Sequence, residues 1–406
     1  MALKMLSIED IEVIGKTVFV RVDMNTPVDP KSGKLMEHNR IAEASVTIRD
    51  LKKSKVVVAS HQGRVGRNDF ISLEQHAKVL TKCLGYKVKF VDDVFGPAAR
   101  EQIDSLSNGE VLLLDNLRLS AEENIEFLPA DAAKTMLVQR LYKHFDACVL
   151  DSFPTAHRSC PSIVGFPELL PACGGRSVVK ELNALNKILD VAKGIYATVL
   201  GGAKISDRLE AIDTLIANNR ADKVLLTGMV GNVFLKAAGQ LGSPLEIQNE
   251  TRYVKQAKKI LANHPDVFEL PKDVAIKSNE SRVEVTIKEL EINDKILDIG
   301  SDTIDNYSRI IRSSGTIFMN GPPGMFEDHR FSKGTEELLR AMTSSLGTTI
   351  VSGGHLSAAL ERIGRKELID HVSTAGGALV LFLAGKKLPL FEVLDKAAKG
   401  GLRRPK

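Results

Sequence analysis

The first strongly patterned stretch of the chain is Thr17-Val18-Phe19-Val20-Arg21-Val22, in which every residue but one is β-branched or aromatic. This composition predicts a β-strand. Outward along the chain, short apolar runs recur at 56–60, 88–91, 111–114 and 147–150, with longer amphipathic stretches between them. Runs that are apolar throughout, rather than alternating, are typical of strands covered on both faces in a parallel sheet. The alternation of strand and helix predicts a doubly wound α/β domain.

A Pro/Gly-rich stretch interrupts the pattern between Pro161 and Gly175 and indicates a domain boundary. A second series of apolar runs follows at 196–200, 223–227, 316–319, 348–351 and 378–382. The sequence therefore predicts the α/β class, with two doubly wound parallel-sheet domains joined by a hinge helix at about 177–192. The predicted domains are residues 1–172 and 173–387, with the linking helix in the second. A C-terminal tail, about 388–406, is expected to pack back on the first.

The composition is that of an ordinary globular protein, with 43% apolar and 26% charged residues in a chain of 406. The formal net charge of +4 is small, so we expect neither a nucleic-acid nor a membrane partner. The four cysteines lack CxxC spacing, which argues against a zinc or redox site of that type. No apolar segment has the length of a membrane span or a secretory signal, and a cytoplasmic location is expected.

Polar and basic side chains follow the predicted strands of the first domain. They are Asp23, Asn25, Arg40 at the start of a helix, His61, Arg64, Arg118 and Arg158. Because ligands of such sheets bind beyond the carboxyl ends of the strands, these side chains are expected to converge at one edge. Arginine suits a phosphate or carboxylate because its planar fork donates two parallel hydrogen bonds. Four arginines favour a small acid that also carries a phosphate, with about −1.5 to −2 charge.

The same first-domain residues allow other interpretations. The arginines could be surface residues that pair with neighbouring acids. His61 and His157 could hold a metal ion, and Cys160 with His157 could form a nucleophilic pair, although adjacent loop residues rarely face each other. The position of four arginines at strand ends favours the anion site.

Glycines take the corresponding positions in the second domain. The turns contain Gly201-Gly202 with Lys204 and Arg208, Gly228, Asn320 to Glu327, Gly353-Gly354-His355, and Gly376-Gly377. Glycine lets a backbone approach a ligand closely, and the helix start that follows presents free N–H groups to an anion. The chain has neither GxGxxG nor GxxxxGK[ST], and Gly15-Lys16-Thr17 only mimics the end of the latter. These turns together predict a phosphate-binding face that differs from both motifs.

Over nearly its whole length the sequence resembles the phosphoglycerate kinase family, most closely its archaeal branch. The segments that carry the resemblance are RVDMNTP at 21–27, SHQGR at 60–64, LGGAK at 200–204, NGPPGMFE at 320–327 and HVSTAGGA at 371–378. The resemblance implies a kinase that transfers a phosphoryl group reversibly between 1,3-bisphosphoglycerate with Mg-ADP and 3-phosphoglycerate with Mg-ATP, by hinge closure. It also implies a monomer, with a homodimer as the alternative.

The resemblance also assigns residues to roles. For the acid it implies Asp23, Asn25, Arg40, His61, Arg64, Arg118 and Arg158; for the nucleotide, Gly201, Gly202, Lys204, Gly228, Asn320, Glu327 at the ribose, Gly353, Gly354 and His355. For the transferring group it implies Arg40, Lys204, Arg208, Gly354 and Gly377. His355 stands where much of the family has an aspartate that ligates magnesium, so the protein ligand of the metal stays unassigned. A catalytically silent relative and a nucleotide-dependent ligase on a similar scaffold are the competing hypotheses.

Overall fold

The structure of the chain, a computed structural model, describes residues 5–191, 195–218, 221–373 and 375–400. The chain forms two compact units, one up to Leu185 together with the segment from Lys387, and one from Asn186 to Lys386. We call them the first and the second unit. Each is built on its own six-stranded sheet, and all strand pairs in both sheets are parallel. The predicted fold class is confirmed.

The strands of the first unit arise where the sequence has its apolar runs. They are β1 (Thr17–Val22), β2 (Lys55–Ala59), β3 (Val88–Val91), β4 (Val111–Leu114), β5 (Ala147–Asp151) and β6 (Ala172–Gly174). Their order across the sheet is β3-β4-β2-β1-β5-β6. The central strand β1 pairs with β2 on one side and β5 on the other, so the chain changes direction there. Ligands of open parallel sheets bind at the carboxyl ends of strands around such a point.

The helices of this part of the chain cover the faces of the first sheet. They are α1 (Asn39–Asp50), α2 (Glu74–Leu84), α3 (Pro97–Asp104), α4 (Pro129–Ala132), α5 (Met136–Leu141), α6 (Pro161–Val164) and the linking helix α7 (Arg176–Val191). Short 3-10 turns lie at Ile8–Asp10, Leu117–Leu119, Ala121–Asn124, Tyr142–His144, Phe153–Thr155 and Phe166–Glu168. The apolar faces of α1 and α2 pack on the sheet through buried residues such as Ile41, Ile48 and Leu80.

The second unit repeats this plan. Its parallel strands are β7 (Tyr196–Leu200), β8 (Lys223–Leu226), β9 (Phe268–Glu269), β13 (Thr316–Asn320), β14 (Thr348–Ser352) and β15 (His371–Ser373), and the strands between them are β10 (Asp273–Ser278), β11 (Ser281–Thr286) and β12 (Ile296–Ile299). The sheet order is β15-β14-β13-β7-β8-β9, again with the first strand of the unit, β7, at the change of direction. Strands β10, β11 and β12 form a separate antiparallel sheet that the sequence interpretation did not predict.

The remaining helices follow these strands. They are α8 (Ile205–Ala217), α9 (Gly228–Ala237), α10 (Glu250–Asn263), α11 (Ser301–Ser313), α12 (Lys333–Thr343), α13 (Gly354–Arg362), α14 (Gly377–Leu383) and α15 (Pro389–Ala398), with 3-10 turns at Ile287–Glu289, His329–Phe331 and Lys366–Leu368. The prediction of a strand at 378–382 is wrong, because this run lies in the helix α14. None of the helices in the described ranges combines the length and the apolarity that a bilayer crossing requires.

The division between the units lies within α7 and not at residue 172. Residues 172–174 form β6, the sixth strand of the first sheet, so the chain stays with the first unit until the linking helix is under way. The helix α15 belongs to the first unit, where the Phe391 ring lies 5.7 Å from that of Phe153 and Leu390 N–H donates to Ala156 C=O at 3.2 Å. Residues 401–406 of the predicted tail lie outside the described residues.

Candidate active site

The loops after β1 and β2 of the first unit are joined through three polar side chains. Arg40, at the start of α1, donates to the Asp23 carboxylate at 2.5 Å. Asp23 also accepts a hydrogen bond from Asn25 N–H at 3.1 Å, and Asn25 Oδ1 accepts one from Gly63 N–H at 2.9 Å. The three residues therefore fix the loops relative to each other and place one guanidinium at the rim.

His61, immediately beyond β2, is buried among positive charges. One guanidinium nitrogen of Arg21 lies 3.2 Å from His61 Nδ1. Burial lowers the pKa of His61 well below its ordinary value. Four positive side chains lower it further: Arg21, Arg118, Arg158 and Arg40. The imidazole is therefore neutral at pH 7, and arginines from four parts of the first unit lie within electrostatic reach of it.

Arg118 lies in the 3-10 turn after β4 and donates to the backbone carbonyl of Gly63. Burial lowers its pKa to about 10, and the neighbouring positive charges of Arg158, Arg21 and Arg64 add to the effect. The guanidinium stays charged at neutral pH in spite of this repulsion. A cluster of like charges at the carboxyl ends of β4, β2, β1 and β5 favours an anionic ligand of high charge.

The structure thus brings together the predicted acid-site residues of the first unit. Arg40 is paired with Asp23, and Arg118, Arg158 and Arg64 are electrostatic neighbours. Arg64 is exposed, whereas Arg118 and Arg158 are half-buried. The surface-pair interpretation accounts for only one of the four arginines, since Arg40 with Asp23 is the one ion pair of this set within the described residues.

Two buried residues of this region were not predicted as part of the site. Arg21, inside β1, donates to Ser162 Oγ at 2.9 Å and lies 3.9 Å from the Glu123 carboxylate. Gln62 accepts from Thr26 N–H at 2.9 Å, donates to Thr26 C=O at 2.9 Å, and lies 3.1 Å from His76 Nε2. The sequence did contain a signal for Arg21, because an arginine within an otherwise apolar strand is unusual. The partners of Gln62 come from distant segments, and no local pattern indicates them.

The metal and nucleophile interpretations of the first unit receive no support from the geometry. Cys160 is buried, its thiol donates to Glu123 Oε1 at 3.2 Å, and burial raises its pKa well above the ordinary value. A thiol in this environment is not a nucleophile at neutral pH. Throughout the described ranges, no three His, Cys, Asp or Glu side chains are grouped closely enough to hold a metal ion.

In the second unit, the turns after β7 and β13 meet backbone to backbone. Gly201 N–H donates to Asn320 C=O at 2.9 Å and Gly202 N–H to Pro322 C=O at 3.0 Å. A Cβ atom at Gly201 would lie 2.5 Å from Thr227 Oγ1, so no larger residue fits there without a shift. Gly321 has a φ of +83°, which favours glycine. These contacts give the unit a backbone-lined surface at the carboxyl ends of its central strands.

Lys204 and Arg208 begin α8, directly after the first of these turns. Lys204 is exposed, whereas Arg208 is buried, and its Nε and Nη1 atoms make no hydrogen bond within the part of the chain that the structure describes. Burial lowers the pKa of Arg208 to about 10, and the Asp207 carboxylate opposes the effect. Arg208 therefore remains charged at pH 7 and has two donor nitrogens without a hydrogen bond to the described residues. A bound anion would accept hydrogen bonds from these nitrogens and balance the charge.

The turns after β14 and β15 lie beside each other. Gly353 N–H donates to Ser373 C=O at 3.0 Å, and Ser352 Oγ donates to Ala375 C=O. Helices α13 and α14 begin at Gly354 and Gly377. A Cβ atom at Gly377 would lie 3.8 Å from an Asp207 carboxylate oxygen, so this turn also approaches the start of α8.

Glu327 and His355 form an exposed pair in the second unit. Glu327 belongs to the β13 loop, defined here as residues 321–332 between β13 and α12, and its carboxylate lies 3.9 Å from His355 Nε2. The Phe326 ring lies 5.4 Å from the His355 ring. An open depression of about 810 Å³ is lined by Met325, Glu327 and their neighbours in the loop.

Comparisons with known proteins agree with this arrangement. The model of the family described as phosphoglycerate kinase matches residues 8–386. The curated phosphoglycerate kinase of Methanothermobacter thermautotrophicus is 42% identical over 401 residues, 97% of each chain, and that of Sulfurisphaera tokodaii is 43% identical over 397 residues, 95% of each. The crystal structure of the phosphoglycerate kinase from Pyrococcus horikoshii OT3 superposes with a TM-score of 0.89 at 37% identity and covers 98% of this chain and 100% of that one. The chain belongs to the phosphoglycerate kinase family.

Proposed function

We propose that the chain transfers a phosphoryl group reversibly between 1,3-bisphosphoglycerate with ADP and 3-phosphoglycerate with ATP, with the residue roles that follow. The observation that carries the assignment is the clustering of Arg21, Arg40, Arg118 and Arg158 around the neutral His61, with Arg64 as a further neighbour of Arg118. The first unit then binds the acid and the second the nucleotide. Transfer requires the two units to close on each other, as the resemblance implies.

The acid binds through its phosphate and its carboxylate. Arg64, Arg118 and Arg158 supply the charge for a phosphate of about −1.5 to −2. Asn25 and His61 orient the acid by hydrogen bonds, because Asn25 is held by Gly63 N–H of the loop after β2 and His61 lies against Arg21 of β1. Asp23 holds Arg40 at the rim, where its guanidinium can reach the group that is transferred.

The nucleotide binds against the glycine turns of the second unit. Gly201, Gly202 and Gly228 let these turns pack closely against one another, so that their backbone forms the surface on which the nucleotide lies. Glu327 accepts hydrogen bonds from the ribose. Asn320 has a buried side-chain oxygen without a hydrogen-bond partner among the described residues, so it can accept one from the nucleotide. Lys204 and Arg208 lie at the start of α8 and bind the phosphates.

The transfer itself requires positioning and charge. In the direction of ATP use, a carboxylate oxygen of 3-phosphoglycerate bonds to the γ-phosphorus while the bond to the β-phosphate oxygen breaks, which gives the acyl phosphate and ADP. The charge on the three equatorial oxygens is met by Arg40, Lys204, Arg208 and the N–H groups near Gly354 and Gly377. No side chain needs to form a covalent bond.

Magnesium fits this site as an ion that is carried mainly by the nucleotide. Two exposed carboxylates, those of Asp207 and Glu327, lie near the glycine turns, and His355 is a poor ligand for a hard cation. When bound with the nucleotide, the ion neutralises part of the phosphate charge. We infer that the chain contributes few direct ligands and that water and phosphate oxygens supply the others.

Substitution of Arg40 tests the assignment of the acid site. Arg40→Ala is expected to lower turnover by at least ~10²-fold, because a preorganised charge donor is lost. The measurement is a coupled assay with 3-phosphoglycerate and ATP. The matched control is Arg49→Ala on the same helix, whose guanidinium donates to Cys83 C=O instead. An unchanged rate in Arg40→Ala would remove this residue from the mechanism.

Substitution of His355 tests the proposal for magnesium. His355→Asp adds a carboxylate at an exposed position, so the fold stays intact and half-maximal activity is reached at a lower magnesium concentration. The control is His264→Asp, at the end of α10 where the chain enters β9 at the opposite edge of the sheet. Superimposable magnesium titrations of His355→Asp and the native enzyme would show that this position does not meet the ion.

A further inference from the structure

Asp298, in β12 of the antiparallel sheet, is a buried carboxylate outside the residues assigned above. Only 1% of the residue is exposed. Its Oδ2 accepts hydrogen bonds from Arg282 Nη1 at 2.8 Å and from Gly334 N–H at 2.8 Å, and its Oδ1 accepts one from Ile299 N–H at 2.9 Å. Burial nonetheless raises the pKa of Asp298 to about 6. A carboxylate that is costly to bury and yet held by three donors indicates a specific role.

The same carboxylate contacts the β13 loop near its beginning and the first turn of α12 just after its end. A Cβ atom at Gly324 would collide with Asp298 Oδ1, and so would one at Gly334, just beyond the loop. Next to these contacts, Met325 N–H donates to Leu297 C=O at 2.8 Å, which ties the loop to the backbone of β12. Gly324 precedes Glu327 by three residues, so the contact acts close to the ribose-binding carboxylate.

Arg282, in β11, extends these contacts to the far side of the loop. Its guanidinium donates to Ile299 C=O at 2.9 Å and to Arg330 C=O at 3.4 Å. It also pairs with Glu284 at 3.0 Å, and its side chain is 15% exposed. Arg282 therefore joins β11 and β12 to the 3-10 turn of the β13 loop.

We propose that Asp298 and Arg282 are positioning residues that hold the β13 loop, and with it Glu327, in the geometry that binds the nucleotide. This inference rests on the proposed function, because Glu327 at the ribose is part of it. The antiparallel sheet thereby serves as the support of one nucleotide-binding loop. The contact at Gly324 and the link to Arg330 are what connect this pair to the loop that carries Glu327.

Asp273 supplies a matched control. It is also a buried carboxylate of the antiparallel sheet, a Cβ atom at Gly300 would collide with it, and it accepts hydrogen bonds from Asp302 and Thr303 N–H at 3.0 and 2.8 Å. These contacts hold the start of α11 and do not involve the β13 loop. Both substitutions therefore remove a buried carboxylate of the same sheet, and only the one at Asp298 alters contacts of the β13 loop.

The experiment compares Asp298→Asn with Asp273→Asn in the full-length enzyme. In Asp298→Asn, Arg282 faces either an amide N–H₂ group, which cannot accept its hydrogen bond, or an amide oxygen, which accepts it more weakly. The contact that holds the loop is therefore weakened. The dissociation and Michaelis constants for ADP are expected to rise about tenfold, while the Michaelis constant for the acid substrate changes less than about twofold. Asp273→Asn should leave the ADP constants within about twofold of the native values. Binding of ADP is measured by calorimetry and the Michaelis constants by the coupled assay.

Three further variants make the outcome decisive. Adding Arg282→Gln to Asp298→Asn restores an amide pair and should recover most of the ADP affinity. Arg282→Gln alone, at a partly exposed site, tests the proposal if Asp298→Asn does not fold. Native ADP constants in both Asp298→Asn and Arg282→Gln, or an equal rise in Asp273→Asn, would overturn the proposal. Glu327→Ala is assayed in parallel. Unchanged ADP constants in Glu327→Ala would reject the assignment of Glu327 to the ribose, but they would not reject the proposal that Asp298 and Arg282 hold the loop.

Discussion

Single arginines in both units are charged in places where burial disfavours charge. Arg118 in the first unit and Arg208 in the second have pKa values lowered to about 10, and burial is the main cause in each. Both remain cationic at pH 7. Arg208 leaves two donors unsatisfied within the described structure, which costs stability in the ligand-free protein. We interpret this cost as the consequence of preparing a site for phosphate oxygens.

Arg208→Met is therefore expected to stabilise the ligand-free protein and to impair the enzyme. Replacing an uncompensated buried charge by an apolar side chain should raise the free energy of unfolding by about 1–4 kcal/mol. Turnover should fall by at least ~10²-fold, because a donor to the transferring phosphate is lost. Thermal unfolding without ligand and the coupled assay measure the two effects.

The control for Arg208→Met is Arg309→Met in α11, where the guanidinium is exposed and donates to Asn306 Oδ1. This change should leave both stability and turnover nearly unaltered. If Arg208→Met instead loses stability, the guanidinium has partners that compensate its charge, and the interpretation of Arg208 as a prepared anion site fails.

At the scale of the elements, the sequence predicted the strands that are buried on both faces. The runs at 17–22, 111–114 and 196–200 became β1, β4 and β7, because β-branched and aliphatic residues without alternation fit a covered parallel sheet. The run at 378–382 has the same character but lies in α14. A short apolar run is consistent with a buried strand or a buried helix, and periodicity alone cannot separate them.

The antiparallel sheet was missed for a different reason. Strand β11 has only exposed or half-buried residues, and its partner β10 is apolar only at residues 274–276. Neither strand resembles the covered runs on which the prediction relied. The hairpin turn itself, at Asn279 and Glu280, uses two residues with positive φ and no glycine, so the usual turn signal was also absent.

The predicted site residues follow from one rule, and the missed residues do not. Residues directly beyond the ends of adjacent parallel strands must lie at one edge, so the loops after β1, β2, β4 and β5 could be grouped from sequence. Gln62, Glu123 and Asp298 act through sets of contacts that include segments 36 or more residues away, such as Gln62 with Thr26 and Asp298 with Gly334. Such contacts depend on tertiary packing, which local patterns do not encode.

At the scale of the whole molecule, two units of the same plan carry opposite kinds of binding surface. Each has its first strand at the change of direction of its sheet, with a candidate site at the carboxyl ends of the strands around it. The first unit uses arginines at the strand ends, and the second uses backbone at glycine turns together with Lys204 and Arg208.

Two buried histidines of the first unit should make it less stable as the pH falls, because they are neutral in the folded chain. Burial lowers the pKa of His76 to about 4, and that of His61 also lies well below its ordinary value. In the unfolded chain both histidines take up a proton near pH 6.5, whereas the folded protein does not. Acidification therefore favours unfolding, and the contribution of His76 is lost progressively from about pH 6.5 toward its folded pKa of about 4.

His76→Gln isolates this effect, since a glutamine N–H₂ can still donate to Gln62 Oε1, the atom that lies 3.1 Å from His76 Nε2. At pH 5 the native protein should have lost about 2 kcal/mol through His76 relative to pH 7, a loss that the variant does not suffer. Hydrogen exchange, corrected for intrinsic rates, reports the free energy of opening for peptides of each unit. The pH dependence should flatten in first-unit peptides only, and the exposed His329→Gln should change neither unit. An identical slope in His76→Gln and the native protein would mean that His76 titrates alike in the folded and unfolded chains, and burial would then not keep it neutral.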